Sequence, residues 1–507
     1  MTTAPAAALE LAAAGAARIC ERHLAWLGLG TTEVETTIRW FGAEERAGAE
    51  HVVQAASGLM AVHGIDNRKP RRLGLEPAST AAGILAAQGV LAAEVGRLRG
   101  LPFESVETSV VDGALTYLRH HVAIASAGAA PPHDPVLTAP GPPFRTADGA
   151  WVELEMLRFP EWRAFWTSLG ATEELDTAWS SFALRYLLGA CPLPAALHGA
   201  TRRRSLPELE AAAEAAGVAI CRVRSSAEAI ADAVHPGGPP WSLEPAPGRH
   251  PAAAAPSQDS GPLAGLRVVE LASRLQGPLA GLLLRLLGAD VVKVEPPGGD
   301  RGRGGSRLGR AAYLAYNAGK TPVELDYKSA AGRRELAELV AEADVFVHNS
   351  RPGRAEQGGF GYAALSRANP ALVYAYASGW EGAKVAPSDI AGDFVVQAWA
   401  GCGELLAPED EPPLPSRVTL VDVAGGLLAC EAILAGLWLR MRTGRGFLVR
   451  TSLYRAALAL QAGAAGRPRW GPLDRPLETA DGYLAVAVDG DEMRRRFEAI
   501  CGRAGAR

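Results

Sequence analysis

The sequence predicts an α/β fold, an open doubly wound parallel sheet accompanied by smaller α+β domains, and three observations lead there. The first is the stretch 263–300, LAGLRVVELASRLQGPLAGLLLRLLGADVVKVEPPGGD, which reads as strand (266–271), helix (277–287), strand (290–295) and glycine-rich loop. Its strand segments crowd Val and Leu without alternation, as expected for parallel strands covered on both faces. The second is that the alternation continues, with a turn and strand over 317–329, a helix over 331–343 and buried strands over 344–349 and 371–379. Strands and helices at this spacing mean an open parallel sheet. The third is that part of the chain occurs twice.

The repeat is read from three pairs. VVQAASG at 52–58 returns as VVQAWAG at 395–401; STAAGILAAQGVLA from Ser79 returns as DVAGGLLACEAILA from Asp422; and 96–115 returns at 439–458. All three keep one spacing of 343 residues, while a fourth pair, RTADGAWVELE at 145 and ETADGYLAVAV at 478, keeps 333. Order and spacing together indicate a partial duplication. The first copy lacks the βαβ region but runs on past its TADG hairpin; the second has the βαβ region and stops soon after its hairpin.

The expected organisation follows in order. Residues 1–50 form a helical N-terminal segment, with one amphipathic helix over 1–30. Residues 51–130 are a degenerate copy of the middle region of the second half, and 131–234 a small α+β domain with helices over 160–169 and 206–217. A Pro-, Gly- and Ala-rich linker spans 235–262. The doubly wound domain occupies 263–465, and 466–507 is a truncated small-domain copy.

At 507 residues, 48% hydrophobic and with a net charge of −4, the chain has length for several cores and no nucleic-acid footprint. Its six cysteines never form CxxC, which fits neither a zinc site nor a disulfide framework and makes a reducing cytoplasm the expected setting. The Ala-rich start is broken by Glu10, Arg18, Glu21 and Arg22, so no signal peptide is expected, and no run approaches a membrane span. No membrane partner is expected. The loop 298–305 brings two arginines and a backbone free to approach phosphate, but no GxGxxG precedes it.

In this order, the βαβ stretch, NAGKTPVELDYKS, VHNSRPG, NPALVYAYASGWEG and VTLVDVAGGLLA resemble the family III CoA-transferases, which include formyl-CoA and carnitine CoA-transferases and α-methylacyl-CoA racemases. The resemblance covers 263–507, and the first copy resembles the family's second half. It implies a CoA-binding domain, coenzyme A or acyl-CoA as substrate with a carboxylic acid as second substrate, no metal, and a homodimer.

It also implies roles for residues. Asp422 stands where the family's transferases carry the aspartate that attacks the thioester, forming a mixed anhydride. Such covalent catalysis divides one hard transfer into easier steps. Backbone N–H groups near Gly425 and Gly426 are the expected oxyanion donors. For CoA the resemblance points to Arg274, Leu275 and Gln276 in the first βα turn, Leu325 and Tyr327 at the adenine, Asn349 and Arg351 in VHNSRPG, and Lys320 and Arg301 at the phosphates. Read without the resemblance, Asp422 is first of all a helix N-cap for 423–441. Its counterpart Ser79 caps as well but cannot support anhydride chemistry.

The chain also departs from the family. Pro296 and Gln357 stand where arginines are common, and Gly392 stands where the racemases carry a catalytic histidine, which weighs against racemisation because that reaction needs two bases. The expected activity is therefore CoA transfer at Asp422. The alternatives are an acyl-thioester isomerase, epimerase or dehydratase, or a non-catalytic CoA-thioester-binding protein.

Overall fold

A computed structural model describes residues 13–30, 32–42, 48–65, 69–101, 103–128, 140–248, 261–488 and 490–504. Its strands are β1 (Glu35–Arg39), β2 (Ser105–Ser109), β3 (Phe144–Arg145), β4 (Trp151–Glu155), β5 (Ala219–Arg222), β6 (Trp241–Pro245), β7 (Arg267–Leu271), β8 (Asp290–Glu295), β9 (Thr321–Glu324), β10 (Val345–His348), β11 (Val373–Ser378), β12 (Phe447–Ser452), β13 (Leu477–Glu478) and β14 (Tyr483–Leu484).

Seven of them form one sheet in the order β6-β12-β11-β10-β7-β8-β9, parallel throughout except for β6. The chain builds outward from β7 through β8 to β9, then returns to the other side of β7 with β10. That reversal opens a crevice at the carboxyl ends of β7 and β10, where open α/β sheets bind ligands. The apolar runs are buried as expected: β7 and β10 expose almost nothing of Val268, Val269, Val345 and Phe346.

Two expectations need correction. The segment 235–262 is not wholly a linker, because β6 lies within it and pairs antiparallel with β12, so the N-terminal half closes one edge of the C-terminal sheet. The N-terminal segment is not purely helical. It holds the helix Ala14–Trp26 and then β1, which pairs parallel with β2 in register Glu35 to Ser105. The beginning of the helix expected over 1–30 lies outside the described residues.

At the centre, the helices Pro77–Leu98 and Leu420–Thr443 lie side by side, with Gln88 Nε2 donating to Leu427 O at 2.7 Å. Both are long and apolar enough to cross a membrane, contrary to the reading that no run approaches such a length. Each is almost entirely buried in protein, as a helix that is hydrophobic all round must be when it forms a core. They hold the residues that stand 343 apart, Ser79 and Asp422.

The halves exchange their small units. The sheet β3-β4-β5, with the aromatic core of Trp162, Phe165 and Trp166, packs on the helix Asp393–Trp399 of the C-terminal half. In return, the β13-β14 region reaches the N-terminal half: Val486 O accepts from His51 Nε2 at 2.7 Å, and Asp474 pairs with Arg72 at 3.6 Å.

Candidate active site

The crevice is a cleft of about 650 Å³ that holds Asp422, with Arg274 and Gln276 after β7, Asn349 and Arg351 after β10, and Tyr327 beyond β9. Asn349 ties the two central loops together: its Oδ1 accepts from Ser273 N at 3.1 Å and its Nδ2 donates to Ser273 O at 2.9 Å. Those bonds fix the crevice floor, so Asn349 has a structural role whether or not it also meets a ligand.

Asp422 lies in the first turn of Leu420–Thr443, whose N-cap position is Thr419. It is therefore not the cap. The capping work is done from another element: Asp393 Oδ2 accepts from Asp422 N at 2.7 Å, while its other oxygen is held by Gln397 Nε2. Among the described residues, no donor is hydrogen-bonded to the Asp422 carboxylate. Burial pushes its pKa up to about 6, and the Arg274 guanidinium works in the opposite direction. Asp393 is pushed well above the carboxylate range, first by burial and then by the charge of Asp422. An acid poised near neutrality, facing a cleft and free of protein donors, has the properties of a nucleophile or a base.

Arg274 is bound up with this acid. Its φ of 65° is in the left-handed region, where a non-glycine residue is strained. Its guanidinium carbon lies 4.9 Å from the centroid of the Tyr186 ring, which comes from the N-terminal half. The strained turn and the aromatic face together hold a cation at the cleft wall, within electrostatic reach of Asp422.

Other expected residues fall elsewhere. Lys320 is no phosphate ligand: it is buried, donating to Glu270 Oε2 at 2.7 Å, Pro278 O at 2.7 Å and Asn317 Oδ1 at 3.0 Å. Lys293 takes the other Glu270 oxygen at 2.9 Å. The two lysines share the one buried carboxylate, and Lys320 has no charge to spare for a ligand. Leu325 is 4% exposed, in the core beneath Tyr327, and Leu275 is buried at the start of its helix. Arg301 opens a one-turn helix outside the cleft lining.

Gly425 and Gly426 are not oxyanion donors. They lie inside the helix beyond its first turn, so their N–H groups belong to its own ladder. Their smallness serves packing instead: a Cβ at Gly426 would sit 2.8 Å from Gln276 O and 2.9 Å from Leu279. The polar side chains of this first βα turn that face the cleft are Arg274 and Gln276.

Three basic residues, Lys328, Arg333 and Arg354, escaped the sequence reading, and they join the expected Arg351. Lys328, Arg333 and Arg354 line the cleft with Arg351, all exposed, and none of the four forms an ion pair among the described residues. They give the mouth the positive charge that Lys320 and Arg301 were expected to supply. Arg354, three residues after Arg351, also offsets Gln357, which lines the same wall. The signal available was that Lys328 adjoins Tyr327 and Arg354 closes the VHNSRPGR segment.

The N-terminal counterpart is built alike and sealed. Glu50, 343 residues before Asp393, accepts from Ala78 N at 3.1 Å, Ser79 N at 2.8 Å, Ser79 Oγ at 2.7 Å and Gln54 Nε2 at 3.0 Å. Gln54 Oε1 accepts from Leu73 N at 3.0 Å just as Gln397 Oε1 accepts from Ser416 N at 2.7 Å. The Ser79 hydroxyl is consumed by Glu50 and Ser79 is 2% exposed. It faces no cleft.

Comparison with known proteins agrees with the repeat. The description CoA-transferase family III matches residues 34–237 and again 263–506. A Mus musculus protein named succinyl-CoA:glutarate CoA-transferase is 32% identical over 260 residues, covering 47% of this chain and 59% of its own length. Succinate–glutarate CoA-transferase of Agrobacterium fabrum is 36% identical over 267 residues, covering 48% and 66%. The chain thus spans less than two thirds of these relatives. The crystal structure of a CAIB/BAIF family protein from Brucella suis aligns with a TM-score of 0.43 at 31% identity, covering 48% of this chain and 70% of that one.

Proposed function

Because the chain belongs to CoA-transferase family III, we propose that it moves CoA from an acyl-CoA donor to a carboxylic acid through a mixed anhydride on Asp422. The Asp422 carboxylate attacks the thioester carbonyl and expels CoA thiolate, leaving an acyl-aspartyl anhydride. The thiolate attacks the aspartyl carbonyl and releases the donor acid. The acceptor carboxylate then attacks the aspartyl-CoA thioester, and the returning thiolate takes up the new acyl group and frees Asp422. No net proton is consumed.

One observation carries this reading: Asp422 is a cleft-lining carboxylate with a raised pKa and no protein donor, while its counterpart at 79 is a sealed hydroxyl. The basic mouth of Lys328, Arg333, Arg351 and Arg354 suits the CoA phosphates. The relatives' names supply short carboxylic acids as the class of acceptor. Racemisation has less support, since Gly392 leaves no imidazole opposite Asp422. We also infer that a single chain completes one site, the N-terminal half taking the place of a partner subunit, so that the expected homodimer is not needed for activity. The setting we propose is the cytoplasm, where the buried free thiols Cys20, Cys191, Cys221, Cys402 and Cys430 stay reduced.

The test is trapping. Incubated with a panel of acyl-CoAs and quenched with hydroxylamine, the protein is expected to yield a hydroxamate on Asp422. CoA binding by calorimetry without any hydroxamate would favour the binding-only alternative. Full turnover by Asp422→Asn would overturn the nucleophile assignment.

A further inference from the structure

Gly392 lines the cleft beside Asp422, and the volume a side chain would fill there is already taken. A Cβ built on it would sit 2.8 Å from both Glu155 Cδ and Tyr186 Oη, and closer still to Glu155 Oε2. Both residues come from the N-terminal half, Glu155 from the end of β4 and Tyr186 from the helix Leu175–Leu188. Leu157, two residues after Glu155, lines the cleft itself.

We propose that Glu155 and Tyr186 are positioning residues of the Asp422 site, standing in for the side chain missing at 392 and holding Arg274 so that it receives the carboxylate of the acceptor acid. This rests on the CoA-transfer reading and names its acceptor subsite. Four observations support it. The Tyr186 ring lies under the Arg274 guanidinium at 4.9 Å, and its own edge is fixed by Phe394 at 4.9 Å between centroids. Glu155 is 1% exposed and is anchored only loosely, by Arg185 Nη2 at 3.5 Å, because Arg185 gives its short bonds to Glu153 Oε1 at 2.6 Å and Leu154 O at 2.7 Å. Glu155 Oε1 and Tyr186 Oη are both buried without a hydrogen-bond partner among the described residues. Leaving two such atoms unpaired costs stability, and both residues stand directly behind the cleft wall at Gly392.

The fourth observation is the repeat. Aligned through the TADG hairpins, the residue matching Glu155 in the C-terminal half is Val488. The half that delivers its hairpin region to the open site carries an acid there, and the half that delivers to the sealed site carries a methyl-bearing side chain. Burial holds the Glu155 pKa above the usual carboxylate range, against the pull of Arg185 and Arg274.

The experiment separates the two half-reactions in the full-length protein. Donor acylation is read as Asp422 hydroxamate in a single turnover, and the acceptor step as the KM for a short dicarboxylic acid. Glu155→Ala and Tyr186→Phe are expected to raise the acceptor KM at least tenfold while leaving donor acylation within twofold. The double variant E155A/G392E, which returns a carboxyl to the same volume from the N-cap of the helix Asp393–Trp399, is expected to recover most of the acceptor KM. An unchanged acceptor KM in Glu155→Ala, or donor acylation falling as far as the acceptor step, would overturn the proposal. If Glu155→Ala does not fold, Glu155→Gln and the isosteric Tyr186→Phe decide it by the same readings. Absence of hydroxamate in the unaltered protein would instead sink the CoA-transfer reading.

Discussion

The two halves place the same device at the head of the same kind of helix and finish it differently. In each, an acid from a preceding helix, Glu50 or Asp393, takes the exposed N–H groups, and a glutamine one turn on, Gln54 or Gln397, ties that acid to the following loop. The N-terminal version closes on itself, because Ser79 spends its hydroxyl on Glu50. The C-terminal version has an acid at the matching position, which Asp393 cannot neutralise, and so it points into the cleft. A helix N-terminus welcomes a carboxylate, but burial pushes the pKa of this one up to about 6. The C-terminal capping arrangement is thus left one hydrogen bond short, and the spare acid faces the cleft.

The largest test of this contrast is the exchange of the two residues for inert ones. Asp422→Asn should abolish turnover, a loss of at least about 10³-fold as for removal of a covalent nucleophile. Ser79→Ala should leave kcat within twofold, measured as CoA transfer under saturating donor. Comparable losses from both would mean that the N-terminal helix is no silent copy.

Next in size are the glycines at which each central helix meets its neighbour. A Cβ at Gly83 would lie 2.6 Å from Ala16 O, and one at Gly426 would lie 2.8 Å from Gln276 O, 343 residues further on. Alanine at either should destabilise by about 1–3 kcal/mol through overpacking, less the roughly 1 kcal/mol that alanine returns as the better helix former. Chemical denaturation measures the sum. Only Gly426→Ala should also lower activity per folded molecule, because Gln276 lines the cleft and Ala16 does not.

Of similar size is Glu50→Gln. It sets an amide N–H against the donors of Ala78 and Ser79, which should cost about 2 kcal/mol of stability. The kcat of the folded fraction should be unchanged, and a thermal melt paired with an activity assay shows whether the two separate.

What could be read from the sequence was what depends on neighbours along the chain. The parallel strands announced themselves as runs such as VVEL and VVKVE, and the spacing of 343 located Asp422 against Ser79 without any coordinates. What could not be read depends on distant pairing. Lys320 looks like a phosphate ligand until Glu270, fifty residues earlier, is seen to hold it. WSLEP resembles the proline-rich linker around it, and only the free edge of β12 makes it a strand. Glu155 and Tyr186 belong to a site whose other members lie more than 80 residues further along the chain, and only the docking of one half on the other reveals them.

The smallest prediction asks what the reactive acid costs the fold. With the folded-state pKa of Asp422 raised to about 6, ionisation is harder in the native protein than in the unfolded chain. The sign follows: the stability tied to the protonated form is whole in acid and is lost as pH rises through about 6. An asparagine there never ionises. Asp422→Asn should therefore match the unaltered protein near pH 4 and exceed it at pH 8, by about 1–2 kcal/mol once the partial exposure of the side chain to the cleft is allowed for. Denaturant titrations at the two pH values measure this directly. A variant less stable at pH 8 would mean that Asp422 holds the helix together, as its counterpart Ser79 does, and the distinction between a sealed half and a reactive half would lose its physical basis.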